Sequence, residues 1–269
     1  MINSLEYTSL QISDFYNATR NSLAVSLQRI SSGKKVIDPK DNIGSFMHLQ
    51  RIQQTKRGYN TLADGLTAAA SMVDLGEKAA TQVVDTIKRM KELIVTYHSN
   101  LNSPEGQAAD NAEFDGLKAS LDTIKAQTWF QGKNLFTAGT MASVLIDPNN
   151  FSNTLDITFA AGDIFDTAAM DINGGGDQNT AMATVDPQLD AALSYLGKVT
   201  AYKRAVESQQ NLMFSIVQNG DAYASAVNNV DDGEELSKVV DYDIRQQAAL
   251  SMLAQANSYR TSILKLIEG

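Results

Sequence analysis

The residues of this chain that could do chemistry are few and poorly spaced for it. Cysteine is absent and there are only 2 histidines, so thiolate nucleophiles, thiolate metal sites and disulfides are excluded together. His48 lies in the run-in to a long apolar repeat, where a solvent-facing or repeat-interior role is expected. His98 stands at the end of the same predicted helix, where a cation is favoured against the helix dipole. Neither has a carboxylate pair near it at metal-ligand spacing. Asp241 and Asp243 are two apart, so they point to different faces of a helix and not at one substrate. The Gly174-Gly175-Gly176 run offers backbone that could cradle a phosphate, but no Lys-Ser or Lys-Thr follows it and no strand-glycine-helix context surrounds it. These patterns give no support for catalysis, a metal site or a cofactor.

What the sequence does contain is long-range order. From Ile52 onward, alternating steps of three and four reach Thr55, Tyr59, Leu62, Leu66, Ala69, Val73, Gly76, Ala80, Val83, Ile87, Met90, Ile94 and Tyr97, and all but Thr55 and Gly76 are apolar or aromatic. That heptad spacing keeps one stripe turned towards a partner helix while charged residues cover the remainder. A helix over 41–97 would be about 85 Å long, too long for one layer of a compact domain. The core seam is assigned to Leu62, Leu66, Val73, Val83, Ile87, Met90 and Ile94.

Composition agrees with a helical, low-aromatic protein: 269 residues, 4 prolines and 7% aromatic side chains. A net charge of -9 and a pI of 4.7 oppose nucleic-acid binding, which needs clustered Lys and Arg. No apolar run approaches the roughly 18 residues of a membrane span. The opening residues lack the basic and apolar regions of a conventional signal peptide.

The chain reads as an arm, a rod, a small insert, a rod and an arm. Residues 4–31 form an amphipathic helix whose stripe includes Leu5, Ile12, Leu23, Leu27 and Ile30, set among hydroxyls and amides with few charges. Such a polar but uncharged surface suits packing among copies of itself. Gly33 supplies a helix stop, and Asp41 or Asn42 can cap the long helix. Ser103-Pro104-Glu105 restarts a helix that returns antiparallel to about 128. Short strands are predicted at 144–146, at 155–159 with strict alternation, and in a last run ending at Ile172. Asp186-Pro187 is read as the start of the third long helix, whose seam runs from Leu189 to Val230 and includes Tyr223. An acidic break at 231–235 precedes a terminal helix from 236, with Leu253, Ala256, Ile263 and Ile267 available for close packing. The divisions expected are 1–35, 36–136, 137–185, 186–230 and 231–269, and the fold class is mostly α: a long antiparallel coiled-coil rod built from both chain halves, with a small β-hairpin insert.

Four segments then carry a resemblance. Ser31-Ser32-Gly33-Lys34-Lys35-Val36, Lys88-Arg89-Met90-Lys91-Glu92-Leu93, Gln127-Thr128-Trp129-Phe130-Gln131-Gly132-Lys133-Asn134-Leu135 and Ser251-Met252-Leu253-Ala254-Gln255-Ala256-Asn257 resemble the signature segments of bacterial flagellin, in the right order and at the right distances. The short middle resembles the hairpin that caps the flagellin rod, without the large outer variable domains. Departures are Gly233 in the acidic linker, an Ile-Glu-Gly end, and an Asp38-Pro39 turn similar to that of hook-filament junction proteins.

The resemblance implies a secreted structural subunit that polymerises with copies of itself into the extracellular flagellar filament used for swimming motility. It also implies partners: an export chaperone at the C-terminal region, the filament cap and the hook-filament junction proteins, with no membrane or nucleic acid. Arg89 and Leu93, with Glu113 on the returning helix, match the positions through which flagellins are detected by the host Toll-like flagellin receptor. The four-residue spacing puts Arg89 and Leu93 on one helical face off the seam, so both are expected to be exposed; the alternative is that Arg89 and Glu113 simply pair across the hairpin and that this face is hidden between subunits. A hook-filament junction protein and a secreted coiled-coil effector or adhesin are the alternatives.

Overall fold

The structure, a computed structural model, describes residues 2–99 and 103–268, with side chains described for 7–99 and 103–262. Five helices dominate it: α1 (Ile2–Ser32), α2 (Ile43–Tyr97), α3 (Pro104–Gln127), α4 (Gln178–Asn228) and α5 (Asp232–Glu268). Between α3 and α4 lie four short strands, β1 (Trp129–Phe130), β2 (Lys133–Asn134), β3 (Gly139–Leu145) and β4 (Thr154–Phe159), as two antiparallel pairs, β1 with β2 and β3 with β4. The chain divides into two compact units, Met1–Gln54 with Asn219–Gly269, and Thr55–Gln218; α2 and α4 contribute to both.

In the Thr55–Gln218 unit, α3 runs antiparallel to α2: Gln107 Nε2 donates to the carbonyl of Tyr97 at 3.2 Å, and Arg89 meets Glu113 at 2.8 Å further back. The α4 helix is also antiparallel to α2, with Lys91 on Asp186 at 2.7 Å and Lys203 on Glu77 at 2.5 Å. Val83, Ile87, Met90 and Ile94 are fully buried between these neighbours, and each such burial stabilises the fold by roughly 1.5–3 kcal/mol. Gly76, the seam position without a side chain, faces α4: a Cβ there would stand 3.6 Å from the Tyr195 hydroxyl oxygen and 3.7 Å from Val199. Tyr195 itself joins the insert to the bundle. Its hydroxyl donates to the Leu135 carbonyl at 2.8 Å, its ring lies against Phe136 and Phe159, and burial pushes its hydroxyl pKa well up.

Several boundaries differ from the expectation. The α4 helix begins at Gln178, not at Asp186-Pro187, and Pro187 is inside it. Asp177 is the reason, because its carboxylate accepts from the amides of Asn179 and Thr180 and so starts the helix two turns earlier. No strand forms at 170–172. Met170 and Ile172 are buried, and the Asp171 carboxylate between them accepts from the amides of Asn173 and Gly174. These residues instead seat a strap, over 160–177, held by α3: Lys118 donates to the Met170 carbonyl, Lys125 to that of Phe165, and Asp122 accepts from the Thr167 hydroxyl. The break before the terminal helix is shorter than expected, covering 229–231, and 232–235 already belong to α5; Asp231 caps that helix by accepting from the amides of Gly233 and Glu234.

The other unit is built on α1 and α5, again antiparallel: Glu235 lies beside Arg29, and Gln246 Nε2 donates to the Tyr16 hydroxyl at 3.3 Å. Gly33 ends α1 with φ +66, the left-handed conformation expected of it. The chain then pairs with the end of α4, through Lys35 N to the Asn228 carbonyl at 2.6 Å and Val230 N to the Gly33 carbonyl at 3.2 Å. Asn42 caps α2 through the Ser45 amide, while Asp41 serves the preceding turn by accepting from the amides of Ile37 and Asp38.

Candidate functional site

Leu66, Val73, Val83, Ile87, Met90 and Ile94 are buried, and Leu62 is partly buried against the same cluster. The buried stripe is wider than a heptad, however, because it also takes in Met72, Ala79, Val84 and Leu93. A heptad describes contact with one partner, whereas here α2 meets α3, α4 and the insert.

Leu93 corrects the expectation that it is exposed beside Arg89, since it is 2% exposed and belongs to the core. Arg89 and Glu113 remain at the surface, joined by two charge-assisted contacts at 2.8 Å and with Glu92 on the other guanidinium nitrogen at 3.1 Å. Tyr223, placed on the α4 seam by spacing, is exposed. His48 is solvent-facing, and His98 Nε2 is 3.0 Å from the Ile172 carbonyl, a structural contact beside the strap.

The α1/α5 pair is unlike a normal core. Among the described residues, those it buries are Thr19, Ser26, Ala249 and Glu235. The expected contacts Ile12, Leu23, Ile30, Leu253 and Ala256 are partly buried, Leu27 is 49% exposed, and Leu5, Ile263 and Ile267 lie outside the described side chains. Large apolar groups face outward instead. On α1, Tyr7, Leu10 and Val25 are exposed on the half of the helix away from Thr19 and Ser26. On α5, Leu236, Val240 and Ile244 are 57%, 52% and 61% exposed and recur every four residues, forming a second stripe opposite Ala249. That stripe was legible as an i, i+4, i+8 pattern, but it is masked by the small residues further along the helix.

Polar groups fix the register of this pair. Arg29 spans to Asp41 at 3.4 Å and towards Glu235 at 3.8 Å, and Glu235 also receives Lys238 at 3.1 Å. Burial works against ionising Glu235, but the Ser26 hydroxyl, Lys238 and Arg29 together hold its carboxyl below its ordinary value. Arg29 Nε and Glu235 Oε1 are left without hydrogen-bond partners. The contact is therefore tight enough to set register and too polar to act as a core by itself.

An antiparallel pair with hydroxyls, an alanine and a carboxylate inside and leucine, valine, isoleucine and tyrosine outside can be made dry only by other surfaces.

Comparison with known proteins points the same way. The family described as the bacterial flagellin N-terminal helical region matches residues 2–140, and the bacterial flagellin C-terminal helical region matches 179–267. A flagellin of Halalkalibacterium halodurans is 27% identical over 250 residues, covering 90% of both chains. Flagellin FljM of Caulobacter vibrioides is 23% identical over 254 residues, covering 93% of this chain and 92% of the relative. The flagellar filament 33 kDa core protein of Treponema phagedenis is 22% identical over 267 residues, covering 93% of each.

Proposed function

This chain belongs to the bacterial flagellin family, and on that premise we propose that it is a structural subunit which polymerises with copies of itself into the flagellar filament used for swimming, not an enzyme. The observation that carries the reading is the inverted α1/α5 pair, polar inside and apolar outside. Apolar area of that extent is costly to leave wet in a monomer, and it is removed from water when subunits stack. Both helices belong to the family-matched ends.

The same reading places the polymer outside the cell, delivered through the flagellar export channel. The outward stripe Leu236-Val240-Ile244 is a suitable surface for an export chaperone to cover before assembly, since it is apolar, helical and near the C-terminus. The filament cap and hook-filament junction proteins are the expected partners at the two ends of the polymer. For a host Toll-like flagellin receptor, the accessible part of the expected contact is Arg89 with Glu113, and Leu93 acts from beneath by supporting α2. Loss of monomer binding to the receptor ectodomain in Arg89→Ala, with unchanged helicity, is the expected result; undiminished binding rejects that contact.

The polymer itself is tested by adding filament fragments to purified protein, pelleting, and imaging the pellet by electron microscopy. Long helical filaments are expected. Short rings would favour a hook-filament junction role, and a wholly soluble protein would favour a secreted coiled-coil effector or adhesin.

A further inference from the structure

Within the Thr55–Gln218 unit, a groove of about 410 Å³ runs between α2 and β3, lined chiefly by Leu62, Ala69, Met72, Phe130, Met141 and Val144. An apolar space of about 150 Å³ already accepts a benzene ring, so the groove has room for an aromatic side chain. The same unit carries such a side chain. Phe151, at the tip of the β3–β4 hairpin, is 79% exposed, more than any other large apolar residue described.

The tip is held firmly. Asp147 accepts from the Asn149 amide at 2.9 Å, Asn150 Oδ1 from the Ser152 amide at 3.1 Å, and the Asn153 carbonyl from the Ile146 amide at 3.0 Å. Pro148 packs against α2 at Gly58, where a Cβ would come within 2.6 Å of the proline ring. An aromatic group presented to water by an ordered loop forms a ready-made contact.

We propose that Phe151 of one subunit inserts into the α2/β3 groove of a second copy of this chain. The inference rests on the filament reading given above. Phe151 cannot enter its own groove, because Met141 and Val144 of the same hairpin form the wall it would have to turn back into. A helical polymer requires a heterologous contact, in which a surface at one place on the subunit meets a different surface on the next. Charge agrees as well: the hairpin over 139–159 carries Asp147 and Asp156 and no base, while Lys133 is the one charged residue lining the groove. One buried phenylalanine is too little to hold a dimer, so the contact acts only alongside the arms.

The test is the critical concentration for seeded growth. Phe151→Ala, which leaves an exposed loop otherwise intact, should raise it roughly ten- to hundredfold, with monomer helicity and Tm unchanged. Plugging the groove with Ala68→Trp should raise it similarly, and the double variant should be no worse than either single. Phe151→Cys combined with Thr61→Cys, in a chain with no native cysteine, should yield a disulfide-linked ladder on oxidation of filaments and none from monomer. Wild-type filaments that grow alongside an unaffected Phe151→Ala variant, additive effects, or no ladder would overturn the knob-and-groove contact alone. Failure of the wild type to polymerise would overturn the filament reading and this contact with it.

Discussion

Gln131 has φ +48, the left-handed region that side chains other than Asn, Asp and His seldom occupy. With Gly132 at φ +79 it forms the two-residue turn between β1 and β2, a geometry that prefers Asn-Gly. Gln131→Asn should therefore stabilise the protein by a few tenths to about 1 kcal/mol, read as a higher denaturation midpoint at unchanged m-value. A lower midpoint would mean that the glutamine makes a contact worth more than its strain. Gly174 is the opposite case. Its φ is +54, and a Cβ there would lie 2.3 Å from the Ala181 backbone nitrogen, so Gly174→Ala must move either the strap or the start of α4. A loss of more than about 2 kcal/mol is expected in chemical denaturation, and a neutral result would show that the strap yields freely. The sequence suggested a phosphate loop at this glycine run only to dismiss it, and could not show the neighbour that makes glycine necessary.

At the scale of elements, α2 was the most legible part of the molecule because its period persists over many turns, and Val83 and Ile87 are buried as the seam required. Val83→Asp or Ile87→Asp should cost several kcal/mol, since a carboxylate there has no partner. Loss of far-UV helicity and of filament yield is the expected result; wild-type helicity for either would contradict the packing. Leu93 was misjudged for an identifiable reason, namely that a seam of period 3.5 specifies one partner while α2 has several. Pro187 misled through a rule that usually holds: proline favours the first helical position, but Asp177 supplies an earlier cap and the helix continues through the proline. The thin apolar stripes and scarce charge of the arms were legible, yet which of their faces turns outward depends on Arg29, Glu235 and Ser26, polar residues that hydrophobic periodicity ignores.

For the whole molecule, acid and assembly are the informative variables. Backbone amides of Ile37 and Asp38, with Arg29, hold the Asp41 carboxyl below its ordinary 3.8. Glu235 is likewise held below 4.5, although burial opposes it. Folded-state values that are depressed give stabilisation that is present above the ordinary values and lost as pH falls through the depressed ones. The Tm of the monomer should accordingly be level down to about pH 5 and decline below about pH 4, and Asp41→Asn should flatten part of that decline; an acid profile identical to wild type would remove Asp41 from the account. The central claim is that the outward apolar faces of α1 and α5 are covered by other copies of the chain. Limited trypsin digestion tests it most directly, because Arg20 and Arg260 are both exposed on these helices. Cleavage at both sites should be rapid in monomer and strongly suppressed in sedimented polymer, whereas equal rates in the two states would contradict the claim.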